Sequence, residues 1–157
     1  MKLTIFTANC AGNASNPYYS NRVEALDEDS FKAAVSLDHV AAEFKGAYRS
    51  NTNFIQADHI SMDVDNELSD EPEDWITPED ILSIFDGVSL AISTSRSHMK
   101  TKGSKSARPR FHVYFPIPLA TDADQVRELK ELLADSFSFF DKHALDAARF
   151  MYGNAAT

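Results

Sequence analysis

From His59 to Asp65 polar and apolar residues alternate without a break, with Ile60, Met62 and Val64 on one phase and His59, Ser61, Asp63 and Asp65 on the other. A period of two is that of a β-strand, so Phe54 to Val64 is predicted to be a strand with one apolar face and one face of carboxylates, serine and histidine. The alternation recurs in Arg110-Phe111-His112-Val113-Tyr114-Phe115, which sets Arg110, His112 and Tyr114 together on the polar face of a strand over Phe111 to Ile117. Lys2 to Thr7 and Val88 to Ser93 are short apolar runs that fit strands, the second mostly apolar and so expected at a sheet centre. Arg149 to Tyr152 fits a last short strand.

Helical spacing is found elsewhere. Val40, Phe44 and Ala47 predict a helix over Leu37 to Tyr48, and Val126, Leu129, Leu133 and Phe137 predict one over Asp122 to Phe137. Asp27 or Asp29 can cap a helix near Phe31 to Val35. Thr77 as cap, Pro78 at the first position and Asp80 three residues after the cap mark another helix start. A Gly/Asn/Ser/Pro-rich loop spans Asn9 to Ser20, an acidic turn-rich segment Asn66 to Asp74, and a mobile basic loop Met99 to Arg110. With no internal repeat and no linker, this order predicts an α+β or α/β domain built on a mixed β-sheet, its helices packed on the apolar face.

At 157 residues and 43% apolar composition the chain is long enough for one domain and short for two. No apolar run approaches the roughly 20 residues of a membrane span. A single cysteine, Cys10, excludes an internal disulfide framework and a Cys-rich zinc site, and the N-terminus lacks a basic segment followed by an apolar one. A reducing, cytoplasmic setting is expected.

The net charge of -9 would oppose nucleic acid if it were evenly spread. Instead, the stretch between Ser50 and Ser95 holds eleven carboxylates (Asp58, Asp63, Asp65, Glu67, Asp70, Glu71, Glu73, Asp74, Glu79, Asp80 and Asp86) and no Lys or Arg. From Gly87 to Thr121 the only charged residues are Arg96, Lys100, Lys102, Lys105, Arg108 and Arg110, once Asp86 is passed, with His98 and His112 among them. An acidic block can hold a divalent cation and a basic block phosphates, a combination that suits a metal-bound polyphosphate; the competing reading is two solvated surface loops.

Positions inside the blocks sharpen the first reading. On a strand the Cα atoms of Asp63 and Asp65 lie about 6.6 Å apart. Carboxylates at roughly 6 Å repel by about 3 kcal/mol at an effective dielectric near 20, a penalty that Mg2+ or Mn2+ removes. Ser93-Thr94-Ser95-Arg96-Ser97-His98 follows an apolar run with donors for anionic oxygens. Arg96, Lys100, Lys102, Lys105 and Arg108 are the candidate phosphate or nucleic-acid contacts, and Arg110 and His112 extend the polar row toward a nucleotide. Asp141 follows the bulky pair Phe139-Phe140 and can supply a third carboxylate, whereas Asp146 and Arg149, three apart, can pair on one helical turn.

Taken in order, Asp63-Val64-Asp65, Ser95-Arg96-Ser97-His98, Asp141, Asp146 and Arg149-Phe150-Met151-Tyr152-Gly153 resemble the catalytic core of the archaeo-eukaryotic primase superfamily, most closely the primase-polymerase domains of phage and mobile-element replication proteins. The likeness runs from about Asp38 to Gly153. It implies an α+β fold with an RRM-like catalytic core flanked by helices, and a template-directed nucleotidyltransferase using two Mg2+ or Mn2+ ions. It further implies Asp63, Asp65 and Asp141 as metal ligands and catalytic carboxylates, with Asp146 the alternative third ligand. Ser95, Ser97 and His98 would bind the nucleotide. Arg96 stands where the motif has serine, two positions before the histidine. Single-stranded DNA template, nucleoside triphosphates and a helicase domain or subunit are the implied partners, with residues 1–157 as one catalytic domain at the N-terminal part of a longer replication protein. The alternatives are a non-catalytic nucleic-acid-binding module of a replication initiator and a metal-dependent nuclease.

Overall fold

The computed structural model describes residues 1–157. In chain order its elements are β1 (Leu3–Thr7), β2 (Asn21–Ala25), α1 (Glu28–Val35), β3 (His39–Val40), β4 (Ala42–Phe44), β5 (Phe54–Val64), α2 (Pro78–Ile84), β6 (Ala91–Thr94), β7 (Lys100–Lys102), β8 (Lys105–Arg108), β9 (Phe111–Ala120), α3 (Ala123–Ser136) and β10 (Phe150–Met151). Short 3-10 turns cover Lys45–Ala47, Asn51–Asn53 and Pro72–Asp74. Two sheets result, one in the order β10-β3-β1-β2 and one in the order β4-β5-β9-β6, with β7 and β8 paired as a separate hairpin. The α+β fold is present, and each strand pairing is antiparallel. No helix is long and apolar enough to cross a membrane.

The pattern of the second sheet sets the rest. In the β5–β9 pair Met62 lies opposite Val113 and Val64 opposite Phe111, while Ser61 lies opposite Tyr114 and Asp63 opposite His112. Facing residues share a side of the sheet, so the two alternating sequences add into one apolar and one polar face. The apolar face is the core: Ile60, Met62, Val64, Phe111, Val113 and Phe115 pack with Ile81 of α2, Val126 and Ala134 of α3, and Phe140. On the polar face, one end is roofed by the first sheet and α1, where Tyr114 packs among Leu3, Ile5, Phe31 and Val35. Its hydroxyl lies 2.8 Å from Nε2 of His39 and 3.1 Å from Oγ of Ser93. Burial pushes the His39 pKa down to about 4, so the ring is neutral, donating from Nδ1 to the Leu37 carbonyl and accepting from Tyr114. The other end of the polar face is open.

Helix starts follow the local chemistry. Asp27 and Ser30 form a reciprocal capping box at α1, Thr77 and Asp80 form one at α2, and Asp122 caps α3.

Several expectations are corrected. Leu37 to Tyr48 is not a helix: Val40, Ala42 and Phe44 are buried at a period of two, β3 pairs with β1 and β10, and β4 pairs with β5. The three- and four-residue spacing of Val40, Phe44 and Ala47 coincided with this alternation, and pairing decided between them. The run Val88 to Ser93 yields only β6, shifted to Ala91–Thr94 and lying at a sheet edge beside β9. Gly87, at φ +79°, turns the chain before it, and Val88 is exposed. The segment Met99 to Arg110 contains the hairpin of β7 and β8 rather than a loop alone, and β2 had no sequence signal.

Asp38 ties this frame together. It is fully buried, and its carboxylate accepts from the backbone N–H groups of Gly12 (2.7 Å), Asn13 (2.8 Å) and Gly153 (2.7 Å). Hydrogen bonds to a buried charge contribute about 1.5–3 kcal/mol each. Asp38→Ala is therefore expected to cost at least about 3 kcal/mol in urea unfolding; a loss under about 1 kcal/mol would show that water replaces the carboxylate without penalty.

Candidate functional site

The open end of the polar face forms a cleft of about 220 Å³ whose lining includes Asp63, Asp65, Arg96, Ser97, Lys102, His112 and Arg149. Strand pairing brings three of its neighbours into one row: Asp63 on β5, His112 on β9 and Ser93 on β6. Asp65 stands just beyond β5, where Asn66 adopts φ +53° and locks the chain exit. The Asn66 side chain donates to the carbonyls of Ile76 and Pro109 and accepts from the Ile76 N–H, each at 2.8 Å.

The two carboxylates have different surroundings. Asp63 is 7% exposed, and its Oδ2 receives Nη2 of Arg149 at 3.1 Å. Oδ1 has no hydrogen-bond partner, and neither has Nδ1 of His112, 4.0 Å away, which is beyond hydrogen-bond length. Burial lowers the His112 pKa although Asp63 and Asp65 oppose it, so this imidazole is neutral at neutral pH. Burial, and then the neighbouring Asp63 charge, raise the pKa of Asp65, with Lys102 acting against them. Beneath the site Lys130 of α3 is buried with Nζ 3.4 Å from the Asp146 carbonyl, and burial pushes its ammonium down to about 8.

Asp141 comes close through the backbone. Its N–H donates to the Asp63 carbonyl at 2.9 Å, placed there by the buried Phe140, and its Oδ1 accepts from the His143 N–H. The carboxylate nevertheless lines an adjoining cavity of about 530 Å³ together with Asp65, Glu67, Phe139, Lys142 and His143. Asp65 alone borders both spaces, and no three acidic, histidine or cysteine side chains converge on one point. The donor chemistry suits a hard cation all the same: a buried carboxylate oxygen without a partner, and a second carboxylate whose ionisation is opposed by the first.

Among the expected nucleotide and phosphate contacts, Arg96, Ser97, Lys102 and His112 reach the cleft. His98 turns to the backbone of Arg110, with Nδ1 3.0 Å from its carbonyl and 3.2 Å from its N–H, the ring tautomer selecting one of them. Ser95 Oγ accepts from the Ser97 N–H and shapes the turn. Arg110 is fully buried and donates to the carbonyls of Ser97 and Lys100, leaving Nε and Nη2 without partners. Arg108 is corrected from a phosphate contact to a structural residue. It is 1% exposed, its guanidinium lies over the Trp75 ring, and it donates to the carbonyls of Asn66 and Ser69 and to Asp70. Lys105 also pairs with Asp70, and Lys100 is exposed on the hairpin. Asp146 and Arg149 meet through the backbone only, because the Arg149 side chain is turned to Asp63. The role of Arg149 at the cleft was not predicted, since nothing in the chain order links residues 149 and 63.

This arrangement sits on an α+β fold. The structure is similar to the AEP domain (PP-N190) of the cyanophage S-2L primase-polymerase, with a TM-score of 0.50 and 13% sequence identity over 95% of this chain and 70% of that one. No family model matches the sequence, and no curated protein matches it.

Because its folded pKa is raised, ionised Asp65 is a net cost to stability at neutral pH. The favourable contribution of its neutral form is fully present below the unfolded carboxylate pKa of about 3.9 and is lost as pH rises through the folded value. Asp65→Asn is expected to raise the thermal midpoint at pH 7 and to lose that advantage as pH falls toward about 4. Equal midpoints for variant and wild type at pH 7 would mean that Asp65 is not strained by its surroundings.

Proposed function

We propose that the domain is a template-directed nucleotidyltransferase, a DNA primase or primase-polymerase that joins nucleoside triphosphates along single-stranded DNA with Mg2+ or Mn2+. The observation that carries this reading is the cleft at the open end of the polar face, where the paired carboxylates Asp63 and Asp65 meet the cations Arg96, Lys102 and Arg149 on a fold of primase-polymerase type. Asp63 and Asp65 would hold the cation, and Asp141, at the far side of Asp65, would serve the neighbouring position. When bound, the cation supplies Lewis-acid activation of the attacking hydroxyl and neutralisation of the triphosphate.

The chain's own residues do the rest by position and charge. Arg149, Arg96 and Lys102 face the space that phosphates would fill and neutralise charge as it moves to the leaving pyrophosphate. Arg149 exchanges its contact with Asp63 for a phosphate oxygen. Ser97 offers a hydroxyl at the same wall, and His98, which does not line the cleft, supports that wall through the Arg110 backbone held by its Nδ1. Neutral His112 can serve as donor or acceptor. No protein nucleophile is required.

The Asp63–Arg149 ion pair and the separate placement of Asp141 favour one competing reading, a non-catalytic nucleic-acid-binding module. Incorporation separates the two. With a primed single-stranded template, labelled nucleotides and Mn2+, the wild type is expected to extend the strand, and Asp63→Asn to lose about a thousandfold in rate. Near-wild-type extension by Asp63→Asn would sink the cation-site reading, and no extension by any form would favour the binding module. Independently of activity, Mn2+ is expected to raise the thermal midpoint of the wild type and not that of Asp63→Asn.

The basic hairpin gives a further test. Replacing Lys100, Lys102 and Lys105 together by glutamine is expected to flatten the dependence of log affinity on log salt for single-stranded DNA by roughly 2, at about 0.7 per phosphate contact. Fluorescence anisotropy at several salt concentrations reads this directly, and an unchanged slope would make the hairpin ordinary surface.

A further inference from the structure

From one edge of the cleft a series of ring and guanidinium contacts leads away to Arg49, whose sequence neighbour Tyr48 carries a further ring pair. Arg96, at the cleft, lies over the ring of Tyr152 with 4.3 Å from its central carbon to the centroid. Tyr152 meets Phe150 at 4.9 Å between ring centres, the two rings standing two residues apart at β10. The guanidinium of Arg49 lies 4.9 Å above Phe150, held there by donation to the Ala148 carbonyl. Beside Arg49 in sequence, Tyr48 stacks edge to face on Tyr18 at 5.4 Å across an isolated antiparallel bridge. Tyr18, Tyr48 and Tyr152 are 55%, 45% and 37% exposed. Arg49 and Arg96 are engaged by a carbonyl and a ring, not by a carboxylate. In a protein of net charge -9, a strip of exposed rings and cations joined to a cationic cleft calls for a particular occupant.

Exposed tyrosines offer flat apolar faces with little rotamer entropy to lose, and an arginine between them attracts phosphate without blocking the rings. Bases stacking on aromatic side chains while cations follow the backbone is the mode by which single strands are held without regard to sequence. A duplex hides its base faces and cannot use such a strip. We infer that Tyr18, Tyr48, Arg49, Tyr152 and Arg96 form a binding surface for single-stranded DNA that leads the strand to the cleft. The inference rests on the proposed nucleotidyltransferase reading for its direction. It also accounts for Arg96, which stands where serine is expected: Tyr152 holds its guanidinium at the junction of strip and cleft.

The test uses anisotropy of a fluorescein-labelled oligothymidylate of about 20 nucleotides against the whole chain at several salt concentrations. Tyr48→Leu and the double variant Tyr18→Leu/Tyr48→Leu are expected to weaken binding by about tenfold for each stacked base lost, with the salt slope unchanged because no phosphate contact is removed. Tyr48→Trp, which keeps a ring, is expected to bind as tightly as wild type or more so. That rescue separates stacking from a folding defect, which leucine and tryptophan would share. Wild-type affinity in both leucine variants, with strand extension intact, overturns the strip and leaves the proposed function standing. A wild-type chain that does not bind the oligonucleotide overturns the strip, and one that also fails to extend a primed strand overturns the proposed function with it.

Discussion

A carboxylate with no exposed surface holds three distant parts of the chain in register. Asp38 sits just before β3, yet its oxygens accept hydrogen bonds from the backbone N–H groups of Gly12 and Asn13 in the N-terminal loop and of Gly153 after β10. A buried ionised group is tolerated only when its hydrogen bonds are made, so the loop and the C-terminal strand must both be in place for the charge to be affordable. Close packing enforces the same geometry. A Cβ on Gly153 would overlap the Ser36 carbonyl and the backbone of Leu37, and one on Gly12, already at φ +84°, would meet the Arg96 guanidinium. The residues next to these glycines matter most for the site, since Tyr152 supports Arg96 and Arg96 forms one wall of the cleft. The shape of the cleft is thus set from behind by a charge that never touches it.

A second constraint divides the polar face of β5 and β9 into a dry half and a wet half. Under the first sheet His39, Tyr114 and Asp58 are satisfied as neutral or locally paired species. His39 is held neutral, Tyr114 is pushed above the usual phenol range by burial, and Asp58 takes the Thr4 N–H on both oxygens. Burial would raise the Asp58 carboxyl, but His59 and Thr4 outweigh it and bring it to about 2. Beyond Ser61 the roof ends, and the next polar positions on the same strands are Asp63 and His112, each with an unpartnered atom. Unsatisfied buried atoms are costly; at the roofed end His59 keeps one at Nε2, whereas at the open end both facing residues, Asp63 and His112, carry one. Under the proposed reading, the facing pair of unpartnered atoms on Asp63 and His112 is where a ligand would be received.

Sequence alternation was enough to find β5 to the residue and to put Asp63, Asp65 and His112 on the same side, because a period of two leaves no freedom once one face is buried. Capping chemistry was equally local and equally legible at α1, α2 and α3. What could not be read were outcomes decided by distant partners. Val40, Ala42 and Phe44 became strands because β1, β5 and β10 offered pairing. Arg108 and Arg110 look like surface cations in a basic stretch, and became buried because carbonyls at Asn66, Ser69, Ser97 and Lys100 needed donors. Arg149 is visible as a charge in the sequence, but its approach to Asp63 across 86 positions follows from β10 joining β3.

Within the cleft three cations, Arg96, Lys102 and Arg149, face two carboxylates, Asp63 and Asp65. A polyphosphate entering alone would gain from the first set and be repelled by the second, and it would have to draw Arg149 from Asp63, leaving that carboxylate doubly exposed to like charge. A hard cation entering alone would gain from the carboxylates and be repelled by the guanidinium paired with one of them. Under the proposed reading each ligand would remove the obstacle to the other: Asp63 would be free to hold the cation once Arg149 turned to phosphate, and the phosphates would supply further oxygens of the kind a divalent ion prefers. Under the proposed reading, the Asp63–Arg149 pair is therefore an element shared by both ligands, and linkage requires that each tighten the other by the same factor.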